Sequence, residues 1–332
     1  MGEFDLIERY FKRPARQAVL GVGDDCAILQ PAPGTQLAIS CDMLVEGRHF
    51  FPSVDPRALG HKALAVNLSD LAACGAKPLA FTLALALPRA DDAWLAPFSQ
   101  GLLALADAHG CELVGGDTTQ GPLNICITVF GEVPVLGGRS QALLRSGAQP
   151  GDELYVSGTL GDARLALEVL RGTVSVPESV LDAARLRLEC PTPRVALGLA
   201  LRGIATAAID VSDGLLGDLG HILKQSGVGA TVDVDVAIKL IASSAYYSGA
   251  GGRFGTEPGR NQWLAWALAG GDDYELLFTA PASACEAVAT AARTSQTPVT
   301  RIGQIDSARG LRLVDGQGQA VANTYASFDH FA

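Results

Sequence analysis

The chain has 332 residues, of which 48% are hydrophobic and 18% are charged. This composition predicts a folded protein of about two domains and argues against disorder. The 25 Lys and Arg residues against 35 Asp and Glu residues give a formal charge of −10, which argues against nucleic acid or an anionic membrane as the main partner.

The cysteines and the apolar runs of the sequence indicate the cellular compartment of the protein. The seven cysteines include no CxxC pair, so a zinc site or a disulfide framework is disfavoured and a reduced, cytoplasmic chain is predicted. Acids in the first thirteen residues argue against a signal peptide. The clean apolar run over 79–87 is too short to span a bilayer.

The hydrophobic pattern predicts alternating helices and strands along the whole chain. Helices are predicted over 3–11, 57–74, 93–109, 162–170, 191–202, 215–225 and 263–269. Strands are predicted over 37–40, 79–87, 112–114, 124–133, 153–156, 205–211, 231–236, 274–279 and 300–305. Ser212 is a plausible N-cap, and 248–259 is predicted to be a glycine-rich loop. We expect a mixed α/β chain with mainly antiparallel pairing, divided near 137–151 into domains 1–138 and 150–332.

Acidic residues gather at predicted strand ends and glycine turns. The clusters are Gly23-Asp24-Asp25, Cys41-Asp42, Ser69-Asp70, Gly115-Gly116-Asp117, Asp210-Val211-Ser212-Asp213-Gly214 and Gly270-Gly271-Asp272-Asp273. Asp70 stands out because it lies in a nearly all-apolar helix beside Asn67. A lone carboxylate is costly to bury there, so it should have a cation or hydrogen-bond donors as partners.

Each cluster alone would be a turn or a helix cap more often than a ligand set. Together, hard oxygen ligands without His or Cys partners favour Mg²⁺ or Mn²⁺, and several such clusters favour a polyphosphate held by more than one metal ion. The chain has no GxxxxGK[ST] motif, and Ser212 does not lie in a G-x-S-x-G elbow. The five histidines are, by default, surface or packing residues.

Six stretches of the chain resemble the thiamine-monophosphate kinase family of the aminoimidazole-ribonucleotide-synthetase superfamily. They are residues 21–27, 40–50, 65–76, 115–121, 209–216 and 270–276, in the family's order. The resemblance implies an α/β fold of the α+β type with two aminoimidazole-ribonucleotide-synthetase-like domains. The N-terminal mixed sheet would bind ATP and metal and pair across a homodimer, and the C-terminal α/β domain would close over the site. The implied reaction transfers the γ-phosphate of ATP directly to thiamine phosphate, assisted by several Mg²⁺ ions.

The resemblance also assigns roles by matching position. The implied metal ligands are Asp25, Ser40, Cys41, Asp42, Asp70, Asp117, Asp210 and Asp213, of which Asp42, Asp70, Asp117 and Asp210 form the implied catalytic set. The implied ATP contacts are His109, Gly116, Asp117, Arg145 and Ser212, and the implied thiamine contacts are His49, Asp272 and Phe328. A carboxylate and a π face both suit the positively charged thiazolium ring.

Three positions depart from the family pattern. Cys41 stands where Thr is frequent, so its expected contact is through the backbone carbonyl. His109 stands where a nucleotide-stacking Tyr is frequent, and Asp272 stands where Glu is frequent.

Two alternatives stay open at the level of sequence. Other enzymes of the superfamily share the fold, although the C-terminal Cys of the hydrogenase-maturation carbamoyl dehydratase and the N-terminal Cys and Lys of selenophosphate synthetase are missing. A non-catalytic metal- or nucleotide-binding regulator is the alternative from a different class.

Overall fold

The computed structural model describes residues 2–242 and 259–325. The chain divides into two compact units, residues 1–142 (unit 1) and residues 143–332 (unit 2). The domain limits of 138 and 150 remain predictions. Phe328 and nearly all of the loop predicted over 248–259 lie outside the described residues.

Unit 1 is built on a mixed five-stranded sheet. Its helices are α1 (Glu3–Tyr10), α2 (Pro56–Ala73) and α3 (Asp92–His109), and its strands are β1 (Thr35–Val45), β2 (Lys77–Leu87), β3 (Glu112–Gln120), β4 (Asn124–Leu136) and β5 (Arg139–Ser140). The strand order is β1-β4-β2-β3, and β5 pairs with β4. Strands β2 and β3 are connected by α3 and pair with each other in parallel. Strands β1 and β2 both pair antiparallel with β4.

Helices α2 and α3 pack closely because glycine stands at their contact. A Cβ atom on Gly60 would lie 2.1 Å from the carbonyl oxygen of Phe98, and one on Gly101 would lie 1.9 Å from that of Arg57. The close approach buries the apolar side chains of α2, including Leu64 and Leu68. This helix pair covers one face of the sheet.

All four strands predicted in unit 1 are longer than expected, and the extension of β1 and β3 corrects the placement of two acidic clusters. Strand β1 continues through Cys41 and Asp42 to Val45, and β3 continues through Gly116 and Asp117 to Gln120. Polar and glycine residues suggest strand ends locally, but the ladders to β4 and β2 continue past them. Cross-strand pairing therefore overrides local propensity here.

The two faces of β1 differ in environment because successive side chains alternate. Ser40 and Leu44 lie on the face that α2 covers, and Leu44 is buried. Ile39 and Met43 lie on the opposite face and are 60% and 52% exposed. We call this second face, defined by Leu37, Ile39, Cys41 and Met43, the open face.

Unit 2 is built on a seven-stranded sheet of order β12-β11-β8-β10-β6-β9-β7. Its strands are β6 (Asp152–Ser157), β7 (Ala207–Asp210), β8 (Gly229–Asp233), β9 (Leu276–Pro281), β10 (Val299–Asp306), β11 (Gly310–Val314) and β12 (Ala320–Val321). Its helices are α4 (Asp162–Leu170), α5 (Glu178–Glu189), α6 (Val195–Ala200), α7 (Leu215–Ser226), α8 (Val234–Ala237), α9 (Arg260–Ala269) and α10 (Cys285–Thr294). Pairing is antiparallel apart from β8 with β11, as predicted for most of the chain.

Several elements of unit 2 differ from the prediction. The helix expected over 191–202 is confined to α6, since Pro191 and Pro193 cannot donate backbone hydrogen bonds. The strand expected over 274–279 begins two residues later, because Tyr274 has a left-handed backbone with φ of 51°. Helices α5 and α10 were not predicted, although the buried Val180, Ala184 and Leu188 show helical spacing.

Within its described residues, the core of unit 2 includes two apolar clusters. One packs α7 on the sheet and includes Leu219, Val232 and Leu277. The other joins α4, α5 and α9 and includes Trp263 and Trp266. None of the helices within residues 2–242 and 259–325 has both the length and the apolar character needed to cross a bilayer.

We expect Gly101→Ala to lower the free energy of unfolding by about 1–3 kcal/mol, the usual cost of overpacking a core contact. The added methyl group would meet backbone of α2, which cannot rotate away. Gly220→Ala is the matched control, because Gly220 lies in α7 with nothing within 4 Å, and it should stabilise by up to about 1 kcal/mol. Urea unfolding measures both; equal effects of the two substitutions would contradict the close helix contact.

Candidate functional site

Four polar residues meet where β1 crosses α2. Ser40 Oγ donates to Asp70 Oδ2 at 2.5 Å, and the backbone N–H of Asp42 donates to Asn67 Oδ1 at 3.1 Å. Asn67 is 1% exposed, and its amide Nδ2 donates to the carbonyl of Ala63 at 3.0 Å. Asp70 therefore has the hydrogen-bond donor that its apolar sequence context predicts, and Asp42 lies beside the same helix.

Cys41 points away from this group. Its neighbours Ser40 and Asp42 share the face toward α2, so alternation places the Cys41 side chain on the open face, where it is exposed. The sulfur atom cannot join the Ser40 and Asp70 oxygens. Only the backbone carbonyl of Cys41 is available for the ligand role that the resemblance implies.

Gly116 and Asp117 lie on β3, at the other end of the sheet order. Strands β4 and β2 separate them from β1, and Asp117 is exposed. Gly116 has φ of 146°, and a Cβ there would lie 1.8 Å from the carbonyl oxygen of Leu83. Any larger residue is excluded, because the space a side chain would need is occupied by the backbone of β2.

The sheet does not gather the implied metal ligands of unit 1 into a compact cage. Asp25 is exposed in the segment before β1, where its N–H donates to Asp24 Oδ1 at 2.9 Å. Across the described parts of the chain, no group of three or more His, Cys, Asp or Glu side chains is arranged to hold a metal ion. Mg²⁺ is commonly held by one or two carboxylates together with substrate phosphates.

Two histidines of unit 1 have defined chemical states. The N–H of Val45 donates to His49 Nδ1 at 2.9 Å, which places the His49 proton on Nε2. His109 ends α3, and burial, reinforced by the nearby His61, lowers its pKa from 6.5. His109 is therefore neutral at pH 7, which suits a ring that stacks on another ring.

In unit 2, the loop after β7 is organised by an acid that sequence reasoning missed. The N–H groups of Ser212, Asp213 and Gly214 donate to Asp218 Oδ2 at 3.1, 3.2 and 3.1 Å. Asp218 is 3% exposed, and burial, with a contribution from Asp213, raises its pKa to about 7. The predicted N-cap role of Ser212 is wrong, because α7 begins after Gly214 and the Asp218 carboxylate satisfies the loop. The sequence signal that could have identified Asp218 is an acidic residue within an apolar helix, the same signal that identified Asp70.

The segment Asp272–Glu275 lies against this loop. The N–H of Asp272 donates to the carbonyl of Ser212, and that of Tyr274 to the carbonyl of Val211, each at 2.8 Å. Asp272 has a left-handed backbone with φ of 60°, and its Oδ1 accepts from Tyr274 Oη at 3.2 Å. The fold thus brings Asp272 next to Ser212 and Asp213, and Asp210 ends the adjacent strand β7.

Glu275 anchors that segment. It is fully buried and accepts from Arg187 Nη2 at 2.7 Å, from Arg194 Nε and Nη2 at 2.6 Å each, and from Ser157 Oγ at 2.6 Å. Arg187 Nη2 also donates to the carbonyl of Asp273 at 3.0 Å. Two guanidinium groups on one carboxylate make this a strong, directional clamp. Arg145 lies apart from it, exposed near the start of unit 2.

Comparison with known proteins identifies the family. The models for the AIR synthase related protein match at residues 23–133 for the N-terminal domain and 149–316 for the C-terminal domain. The thiamine-monophosphate kinase of Salmonella typhimurium is 47% identical, over 100% of this chain and 98% of the relative. The chain belongs to the thiamine-monophosphate kinase family.

Solved structures of this family share the fold. The thiamine-monophosphate kinase from Stenotrophomonas maltophilia K279a is 44% identical, with a TM-score of 0.81 over 96% of each chain. AaThiL, solved in complex with AMPPCP and TMP, is 29% identical, with a TM-score of 0.73 over 91% of this chain and 89% of that one. The predicted two-domain, aminoimidazole-ribonucleotide-synthetase-like fold is confirmed.

We expect Glu275→Gln to destabilise unit 2 by about 3–5 kcal/mol, because two largely buried guanidinium groups lose their counter-charge. Glu286→Gln, at an exposed position in the first turn of α10, should cost less than about 1 kcal/mol. Urea unfolding followed by tryptophan fluorescence in a Trp94→Phe background reports on Trp263 and Trp266 in unit 2. A loss below about 1 kcal/mol for Glu275→Gln would show that the clamp does not stabilise the unit.

Proposed function

We propose that the protein transfers the γ-phosphate of ATP to thiamine phosphate, giving thiamine diphosphate and ADP. The observation that carries this proposal is 47% identity to a thiamine-monophosphate kinase along the entire chain. The complex of AaThiL with the ATP analogue AMPPCP and TMP supports the same pair of ligands.

Mg²⁺ is the metal that the donor set suits. Ser40, Asp42, Asp70 and the Cys41 carbonyl on unit 1, and Asp210 and Asp213 on unit 2, offer hard oxygen donors, and Asp25 and Asp117 would add two further carboxylates. When bound, the ions would neutralise charge on the phosphates as it develops. The protein's own part is to hold these oxygens in place, as the Ser40–Asp70 and Asp42–Asn67 hydrogen bonds do.

The remaining implied contacts divide by ligand. For ATP they are the backbone at Gly116, the Arg145 guanidinium, the Ser212 loop and the neutral His109 ring. For thiamine phosphate they are His49, Asp272 and Phe328. The Asp272 carboxylate is held beside Ser212 by a backbone hydrogen bond and offers counter-charge to the thiazolium.

This acceptor needs no general base. The second pKa of a phosphate monoester is about 6, so its attacking oxygen is ionised at neutral pH. The His49 nitrogen Nδ1 already accepts from Val45, so His49 can offer substrate only the N–H at Nε2. The direct, in-line transfer of the phosphate therefore depends on positioning the two substrates and on neutralising the charge of their phosphates.

The test of function is ADP and thiamine diphosphate formation from ATP, Mg²⁺ and thiamine phosphate, with thiamine, thiamine diphosphate and ribose 5-phosphate as alternative acceptors. The expected result is turnover with thiamine phosphate alone. ATP binding without acceptor-dependent turnover would favour a non-catalytic regulator, and preference for another acceptor would overturn the substrate assignment.

We expect Asp42→Asn and Asp70→Asn each to lower kcat by at least about tenfold, the scale of losing a group that holds a metal. The fold should be kept, because the amide at position 70 can still accept from Ser40 and the bond from position 42 to Asn67 is made by the backbone N–H. Thermal unfolding of the same samples checks this. Asp182→Asn, on the exposed side of α5, removes the same charge and should leave kcat unchanged. Retention of more than a tenth of the activity by both variants would contradict their ligand role.

We further propose that the protein forms a homodimer through the open face. We expect it to act in the cytoplasm, where thiols stay reduced. β1 is an edge strand of the sheet, and Ile39 and Met43 are more than half exposed on it, an arrangement that favours pairing with a second copy. Ile39→Lys should therefore shift sedimentation toward a monomer, whereas Leu186→Lys, at an exposed leucine of α5, should not. A wild-type chain that sediments as a monomer at micromolar concentration would refute the dimer.

A further inference from the structure

We propose that Asp218 is a positioning residue for the nucleotide and its metal ions, because its buried carboxylate holds the backbone of the loop that carries Ser212 and Asp213. Asp218 itself touches neither ligand. The inference rests on the proposed function, in which Ser212 contacts ATP and Asp213 holds a metal ion.

The carboxylate reaches the loop because side chains on a helix lean toward its N-terminus. Asp218 lies in the first turn of α7, and its own N–H donates to the carbonyl of Gly214 at 3.1 Å. Its side chain turns back to the residues before the helix, where Oδ2 accepts the N–H groups of Ser212, Asp213 and Gly214 at 3.1, 3.2 and 3.1 Å. One atom therefore fixes the backbone direction of three consecutive residues.

This arrangement gives the loop an inner and an outer side. Asp218 is 3% exposed and Gly214 is buried, whereas Ser212 and Asp213 are partly exposed. The three N–H groups are directed at the Asp218 carboxylate, so the groups that the loop can offer to a ligand are the Ser212 hydroxyl and the Asp213 carboxylate. The backbone that Asp218 holds therefore sets where both groups lie.

Loss of the Asp218 carboxylate would leave the three N–H groups without their common acceptor. A largely buried N–H group without a partner is unfavourable, so these groups would turn toward other acceptors and the loop would turn with them. The Ser212 hydroxyl and the Asp213 carboxylate would then lose their fixed positions. ATP and Mg²⁺ should consequently bind more weakly.

The neighbouring segment on the thiamine side has anchors of its own. The N–H of Asp272 donates to the carbonyl of Ser212 at 2.8 Å. The segment is also held by the Asp273 carboxylate, which accepts the N–H of Gly161 at 2.9 and 3.1 Å, and by the guanidinium clamp that follows it. A change at Asp218 should therefore affect ATP and Mg²⁺ more than thiamine phosphate.

The experiment compares Asp218→Ala with Asp218→Asn in the full chain. Alanine removes the acceptor, whereas asparagine keeps one oxygen that can accept from the same N–H groups and serves as the conservative variant. Asp218→Glu is a second disruptive variant, since it keeps the carboxylate but displaces it by one methylene group. It replaces the alanine variant in every comparison if that variant does not fold.

Asp152→Ala is the matched control in the same unit. Asp152 is 5% exposed and accepts the N–H of Gln149 at 2.9 Å, so this substitution also takes a buried carboxylate away from a backbone donor. It pairs with Pro281 at one end of β9, whereas the proposed site lies beyond Leu276 at the other end. A loss of stability should therefore be common to both positions, and weaker nucleotide binding should be confined to Asp218.

Steady-state rates give the KM values for ATP and thiamine phosphate and the Mg²⁺ concentration for half-maximal rate. Calorimetric titration with Mg²⁺ and AMPPCP gives a nucleotide Kd without turnover. For Asp218→Ala we expect the KM for ATP, the Mg²⁺ requirement and the Kd for AMPPCP each to rise by about tenfold, the scale of losing a group that holds a metal ligand in place.

The other values should change little. The KM for thiamine phosphate should change by less than about twofold in Asp218→Ala, and Asp218→Asn should stay within about threefold of wild type throughout. Asp152→Ala should lower the temperature of thermal unfolding and leave the two KM values, the Mg²⁺ requirement and the Kd unchanged.

Several outcomes would overturn the proposal. They are unchanged ATP and Mg²⁺ constants in Asp218→Ala, equal rises for both substrates, the same rises in Asp152→Ala, or an Asp218→Asn variant as weak as Asp218→Ala. Wild-type protein that binds Mg²⁺ and AMPPCP without turnover would refute the proposed reaction, while the titrations would still decide the role of Asp218. Wild-type protein that binds no nucleotide would refute both.

Discussion

Acidic side chains must be placed against the apolar cores of both units without leaving a buried charge unpaired. Desolvating a carboxylate costs several kcal/mol unless hydrogen bonds or counter-charges replace water. Unit 1 meets this constraint at Asp70 with a neutral donor, the Ser40 hydroxyl, while the buried Asn67 amide oxygen accepts from the backbone N–H of Asp42. Unit 2 meets it with three backbone N–H groups on Asp218 and two guanidinium groups on Glu275.

Glycine residues provide the space that these buried carboxylates and their neighbouring segments need. At Gly158, with φ of 54°, a Cβ would lie 2.0 Å from Glu275 Oε1, so the clamp can form only around a residue without a side chain. Gly271, with φ of 71°, lets the Asp272 segment reach the carbonyl of Ser212. These close approaches fix the positions of Ser212 and Asp272, the proposed ATP and thiamine contacts in unit 2.

Strand β1 serves two surfaces at once. Its inner face presents Ser40 to Asp70, and its open face presents Cys41 to Cys126. Because successive side chains of a strand alternate between its two faces, neighbouring residues of β1 serve different surfaces. The inner face thus carries the proposed ligand oxygens, and the open face carries the proposed dimer contact.

The sequence by itself determined the family, because ordered acidic and glycine motifs are specific in combination, and it identified Asp70 as a partnered acid, because a lone carboxylate in an apolar helix must find donors. It also predicted most helices and strands, whose patterns are local. Only the tertiary structure decided how far β1 and β3 extend, that Asp218 rather than Ser212 organises the loop, and that Arg187 and Arg194 share Glu275. Those features, like the Cys41–Cys126 contact, depend on pairing between residues far apart in sequence, which local patterns do not encode.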